Sequence, residues 1–274
     1  MPLVLGAVSV AVALAFVYLL ALASDVSIFA LNIGTMIGLG LAIDFSLIMV
    51  SRFREELRDA PVETALEWPR LGAIPESFGT AWGSLDQVGL QAGGSLLVRG
   101  GSSSVGMAAI TIAKDQGLTV FATTRQERKR APLEAAGVDH VVIDDGSVAA
   151  KVRELAPEGV NGLLELVGPG AVLDSLTAVA PGGRACISGF LEGDWNVEPA
   201  RAEAERLGIP LARFGSGTID VDSYGEIFQG IVSRVEDGRY RDILDRTFPL
   251  AEIAEAHGYM EANRATGKVV GLPP

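Results

Sequence analysis

Two kinds of hydrophobic pattern divide the chain. Up to Val50 apolar residues run on almost unbroken: Pro2–Ala23 holds no charged side chain, and Ile28–Val50 holds only Asp44. Apolar runs of roughly 20 residues are long enough to cross a bilayer as helices. Separated by Ser24-Asp25-Val26-Ser27, they predict a two-helix transmembrane hairpin over residues 1–57. A cleaved signal peptide is the alternative for the first run, but no basic residue precedes it and a second apolar run follows at once. Arg52, Arg54 and Arg58 come directly after the second run and the connecting turn has no basic residue. Both ends are therefore expected in the cytoplasm, with the hairpin in the cell membrane and the lipid bilayer as its partner.

Beyond Pro61 the pattern changes to short β-rich runs alternating with helical ones, punctuated by Gly, Asp and Pro, as βαβ units require. Strands are expected at Ser95–Arg99, Thr119–Thr123, His140–Ile143, Gly162–Val167 and Arg184–Ser188, with a sixth near Leu211–Phe214. Helices are expected near Val105–Gln116, Gln126–Ala136, Ser147–Leu155, Ala171–Ala178, Asp222–Glu236 and Leu250–Asn263, and a last short strand at Gly267–Val270. The fold class is α/β, a doubly wound parallel Rossmann sheet preceded by the hairpin. Residues 58–71 read as a linker marked by Pro61 and Pro69, residues 72–247 as the nucleotide-binding domain, and 248–274 as a separate C-terminal piece.

Charge and cysteine content narrow the chemistry. The formal net charge is −12, which suggests no nucleic-acid partner. The single cysteine, Cys186, excludes an internal disulfide and a multi-cysteine zinc site, and reads as a small core residue. His140 and His257 have no evident partner in the pattern and read as structural. Whether the chain forms a homo-oligomer stays open.

The first strand runs into Arg99-Gly100-Gly101-Ser102-Ser103-Ser104-Val105-Gly106 and then a helix. This is the setting of a phosphate-binding turn: small residues let a pyrophosphate approach, and free N–H groups at the helix start stabilise it. Gly106 suits close helix–sheet packing, while Ser103 stands where the middle glycine of the G-x-G-x-x-G pattern belongs. The second strand ends at Thr123-Thr124-Arg125 without the acid that would bind a ribose 2′-hydroxyl. Arg125, Arg128, Lys129 and Arg130 cluster there instead. Guanidinium groups suit a 2′-phosphate, so NADPH is the expected cofactor, against the plainer reading of a solvated basic helix start.

The Gly100–Gly106 turn, Ala135-Ala136-Gly137-Val138-Asp139-His140-Val141-Val142, Ala180-Pro181-Gly182-Gly183-Arg184 and Ala256-His257…Thr266-Gly267-Lys268-Val269-Val270 together resemble the medium-chain dehydrogenases and reductases of the quinone oxidoreductase type, over about Gly72 to Leu272. The resemblance implies hydride transfer from NADPH to a small-molecule substrate, a quinone or activated alkene. It implies a cofactor groove lined by Thr80, Gly101, Ser102, Ser103, Ser104, Val105, Gly106, Thr124, Arg125, Lys129, Val167, Gly168 and the Ser188-Gly189-Phe190 turn. Glu165 stands where that family usually has Asp. Catalytic side chains stay unassigned, and no metal is expected. The family's N-terminal substrate domain, which closes over the nicotinamide, is not recognised here, so turnover by this chain is expected to be impaired.

Leu31-Asn32-Ile33-Gly34 to Arg52-Phe53-Arg54-Glu55-Glu56-Leu57, with Gly38–Asp44 at its centre, resembles a transmembrane helix of the MMPL transporters. The resemblance makes Asp44 a candidate membrane proton site, with Phe45 where that family has Tyr. Three readings stay open at this point: a membrane-tethered reductase, a non-catalytic join of two fragments, and a transport component carrying a passenger domain.

Overall fold

The computed structural model describes residues 68–190, 196–219 and 221–272. The chain divides into two compact units, Met1–Ala65 and Leu66–Pro274. The expected hairpin, Asp44 and most of the expected linker lie outside the described residues. Among those that are described, no helix is long and apolar enough to cross a membrane.

The second unit opens with α1 (Trp68–Ala73) and α2 (Pro75–Val88). The first of these helices is a difference from the expected linker. Leu71 is buried and the backbone of Gly72 comes against Val270, so tertiary packing, not propensity, makes this short segment helical.

The Rossmann part follows as β1 (Ser95–Arg99), α3 (Ser104–Asp115), β2 (Thr119–Thr124), α4 (Arg130–Ala135), β3 (His140–Ile143), α5 (Val148–Leu155), β4 (Val160–Glu165), α6 (Pro169–Leu176), β5 (Val179–Ile187), α7 (Glu198–Leu207) and β6 (Leu211–Arg213). All six strands are parallel, in the order β3-β2-β1-β4-β5-β6. The order reverses between β1 and β4, and in such sheets that reversal opens a crevice at the carboxyl ends of the strands.

The strands are apolar because both faces are covered. Leu97, Phe121, Leu163 and Ile187 pack with Val148 and Val152 of α5, Val172 and Leu176 of α6, and Ala200 and Ala204 of α7. α2 lies against α3, β4 and β5. Two satellite elements were not expected. α7 carries an alanine stripe on a charged helix, and β7 (Leu244–Pro249) is a half-polar strand that pairs in parallel only with β8 (Lys268–Leu272).

Between β6 and β7 runs α8 (Val221–Glu236), and α9 (Ile253–Glu261) links β7 to β8. Strand β7 therefore runs across the expected boundary at 247/248, and the C-terminal piece is continuous with the compact unit. It is tied to α2 by the ion pair Lys268–Glu76 at 2.8 Å, and Asp242, just before β7, pairs with Arg70 of α1 at 2.7 Å.

Candidate functional site

The crevice begins where β1 ends. Gly100 adopts φ 86°, a left-handed conformation that side chains disfavour, and turns the chain back so that the N–H of Gly101 donates to the Thr123 carbonyl at 3.0 Å. Ser103 caps α3: its Oγ accepts from the N–H of Gly106 at 3.0 Å. That is the reason a serine can replace the middle glycine here. Gly106 has no room for a side chain, since a Cβ would meet Gly100 O at 2.5 Å and Gly101 O at 2.6 Å. The N–H groups of Ser104 and Val105 remain at the positive end of α3 without a backbone acceptor, a setting that suits a phosphate. Ser102, Ser103, Ser104 and Val105 are half-buried, and Gly101 and Gly106 are buried.

A cleft of about 520 Å³ opens beside this turn. It is lined by Glu76 and Thr80 of α2, Val105, Ser188, Phe190 and the Arg213–Ser216 segment. Ser84 donates to Thr80 O at 2.6 Å, and its Oγ lies 2.7 Å from that of Ser188, so hydroxyls join α2 to the turn after β5. Arg213 lies over the Phe190 ring, 4.9 Å from its centre. Gly189 passes so close to the Leu166 carbonyl that any Cβ would collide with it. This brings the Ser188–Phe190 turn against the Val167-Gly168 turn after β4. The structure thus gathers the Gly101–Gly106 turn, Thr80, Val167, Gly168 and Ser188–Phe190 around the carboxyl ends of β1, β4 and β5.

Thr124 and Arg125 mark the end of β2. Thr124 is buried and its Oγ1 accepts from Gln126 N, whereas Arg125 is exposed. Lys129 stands apart from the expectation of a ligand-facing cation. It is 3% exposed, and its Nζ donates to Asn263 Oδ1 at 3.0 Å and to Ala265 O at 2.5 Å. Burial, together with Arg128 and Arg125 beside it, holds its pKa below the ordinary lysine value. Arg128 reaches the same segment through Asn263 O at 2.8 Å. The helix expected from Gln126 begins as a tight turn at Glu127–Lys129 and becomes α-helical only at Arg130.

Two features were not singled out as site residues in the sequence. Arg99, the last residue of β1, is buried and forms a hub. It donates twice to Asp144, at 3.0 and 3.1 Å, and its Nη1 donates to Asp174, Ala171 O and Ser175. Burial opposes its charge, but the Asp144 hydrogen bonds and the neighbouring Glu165, Asp144 and Asp174 carboxylates outweigh it and raise its pKa above the ordinary value. Asp174 also accepts from the N–H of Val148 at the start of α5. Glu165 is fully buried at the end of β4. An arginine closing an otherwise apolar strand was the one signal in the sequence.

His140 stacks on Phe121 at 4.5 Å, and His257 is exposed on α9. Cys186 is buried within β5, and burial raises its thiol pKa.

Comparison with known proteins follows this division of the chain. The zinc-binding dehydrogenase family pattern matches residues 136–270, and the MMPL family pattern matches residues 1–67. The Rossmann unit is similar to the medium-chain dehydrogenases and reductases. It is similar to quinone oxidoreductase-like protein 2 of Bos taurus, 25% identical over 72% of this chain and 58% of that protein. The fold of the JamJ enoyl reductase superposes with a TM-score of 0.69 at 26% identity, over 76% of this chain and 64% of that one. Mycobacterial Rv1454c, solved with NADPH, gives a TM-score of 0.69 at 24% identity over 78% and 66%. The chain spans only 10% of polyketide synthases with which it also aligns. Although the matched family is named for zinc, no cluster of three or more His, Cys, Asp or Glu among the described residues could hold a metal.

Proposed function

We propose that the dehydrogenase domain binds NADPH across the carboxyl ends of β1 and β4 and belongs to a reductase of quinones or activated alkenes. The observation that carries this reading is the Gly100–Gly106 turn, where a capped helix start and a glycine with no space for a Cβ leave room and N–H donors for a pyrophosphate. Arg125 supports the phosphorylated cofactor, being an exposed cation at the end of β2 with no acid in the ribose position. The NADPH found in mycobacterial Rv1454c, and the enoyl reductase activity by which JamJ is named, support the cofactor and the alkene class.

When bound, NADPH supplies the hydride, so the protein's own task is to hold a substrate beside it and keep water out. In the described residues, Thr80, Ser188, Phe190 and the Arg213–Ser216 segment form one side of such a chamber. With the chamber walled on one side by the described residues, we propose that they bind NADPH and turn over slowly. The test is a binding titration beside NADPH oxidation with a panel of quinones and enones. Saturable binding with turnover far below the usual enzymatic scale, on the order of 10 per second, is expected. Turnover at that usual scale would refute the slow-turnover reading, and absence of binding would refute the cofactor.

Residues 1–57 we propose as a bilayer anchor that leaves the dehydrogenase domain cytoplasmic. The two apolar runs, the MMPL match and Arg52, Arg54 and Arg58 support it. Retention in membranes after alkaline carbonate extraction is the expected result, and release of intact chain would overturn it.

A further inference from the structure

Glu165 is a carboxyl group sealed under the crevice, 0% exposed, and the proposed chemistry does not use it. Its polar neighbours are the turn above it, the helix that follows, the turn after β5 and Arg99 on β1. Oε1 accepts from the N–H of Val167 at 2.8 Å, Oε2 accepts from Ser175 Oγ at 2.8 Å, and the Gly168 N–H beside them favours the ionised carboxylate. The Glu165 carbonyl accepts from the N–H groups of Ser188 and Gly189, at 2.9 and 3.2 Å. One residue therefore binds both turns that wall the crevice after β4 and β5. We infer that Glu165 is a positioning residue for cofactor binding, its carboxylate holding the Val167-Gly168 turn by the backbone so that the groove's affinity follows the protonation of this one group. The inference rests on the cofactor reading above for its consequence, but not for the contact itself.

The surroundings allow both charge states. Ser175 Oγ also lies 3.2 Å from Ala171 O. With Glu165 ionised, the serine hydroxyl donates to Oε2. With Glu165 protonated, the carboxyl proton turns to Ser175 Oγ and the serine hydroxyl turns to Ala171 O. No donor or acceptor is left unpaired in either state, as a buried group requires. The ionised state differs in that the Val167 N–H then binds a full charge, with the Gly168 N–H beside it, and charge-assisted hydrogen bonds are about twice as strong as neutral ones.

Charged groups reach Glu165 from one side. Arg99 on β1 faces it, and beyond Arg99 stand Asp144 after β3 and Asp174 on α6. Its register neighbour on β5 is Ile187, and α2 brings Val88 against β4 at Gly162. Burial, set against the Val167 N–H, Arg99, Ser175 and the Gly168 N–H, raises its pKa to about 7. Its charge thus changes across the neutral range, where an ordinary glutamate is fully ionised.

The experiment uses the full chain labelled with ¹⁵N at valine and glycine. The assigned amide resonances of Val167 and Gly168 are followed from pH 5 to pH 9, in the wild type and in Glu165→Gln. The glutamine keeps the Oε1 acceptor and can donate to Ser175, so it reproduces the protonated arrangement. Both amides are expected to titrate with a midpoint near neutrality in the wild type and to stay flat in the variant. Added NADPH should move that midpoint to lower pH, because a ligand that prefers the ionised form must stabilise it reciprocally. In parallel, NADPH affinity should weaken by about tenfold as pH falls through neutrality in the wild type, the scale of one charge-assisted bond. Glu165→Gln should bind at the weaker level throughout, independent of pH over that range.

Flat wild-type amides, or a titration that persists unchanged in Glu165→Gln, would overturn the inference. So would a wild-type affinity that is independent of pH while NADPH binds. If the amides titrate as expected but NADPH fails to bind at any pH, the cofactor reading fails and the turn-holding contact stands.

Discussion

At the Gly100–Gly106 turn the groove is shaped by backbone, whereas at the end of β2 it is shaped by long cationic side chains. The first region takes its shape mainly from contacts within a few residues, Ser103 Oγ to Gly106 N, Ser103 N to Gly100 O and the packing of Gly106 on Gly100 and Gly101, with backbone bonds to Thr123 and Gly267 added from outside. The second depends on the far end of the chain. Lys129 spends its charge on Asn263, 134 residues away, and on Ala265, leaving Arg125 at the end of β2 exposed. A phosphate turn can therefore be read locally, while the fate of a basic cluster is decided by whatever packs on it.

The sharpest way to break this comparison is through Arg99, the residue that precedes the backbone-built turn. Arg99→Ala strips the buried cation from the partly buried Asp144 and Asp174 carboxylates. It should cost about 3 kcal/mol of stability, the low end of the scale for removing one partner of a buried ion pair. Chemical denaturation measures it, and a loss below about 1 kcal/mol would show the hub to be dispensable.

A smaller effect on stability, with a large one on binding, is expected from Gly106→Val. Its Cβ would meet backbone atoms of Gly100 and Gly101 that cannot rotate away. Overpacking of this kind costs about 1–3 kcal/mol. NADPH binding measured on the still-folded variant should be lost, and retained affinity would remove the turn from the account.

Lys129→Met keeps the apolar stem and removes the donor to Asn263 and Ala265. Denaturation should show a loss of about 1 kcal/mol, with the preference between NADPH and NADH unchanged. A lost preference at full stability would instead make Lys129 a ligand.

The same contrast explains how much was legible in the sequence. β1, β3 and the Gly100–Gly106 turn fall where short β-rich runs and small residues placed them, because a short apolar, β-branched run and a turn of glycine and serine declare themselves locally. Helix α7 escaped because its buried face is only Ala200 and Ala204 amid charges, although Pro199 near its start and Gly208 at its end are ordinary boundary signals. Strand β7 is half-polar and exists through β8, more than a helix later in the chain. Arg99 and Glu165 could be placed on strands, but their partners on α6 and after β3 become neighbours only once the sheet is assembled.

The central claim is that the groove takes NADPH, with its backbone end holding the pyrophosphate and Arg125 distinguishing the phosphorylated cofactor. Its most direct test is a calorimetric titration of NADPH and of NADH against the wild-type chain and Arg125→Ala. The account predicts that the wild type binds NADPH at least about tenfold more tightly, the size of one charge-assisted contact to a phosphate. Arg125→Ala should bring NADPH down to the level of NADH while leaving NADH affinity unchanged. Equal affinities in the wild type, or a preference that survives in Arg125→Ala, would contradict it.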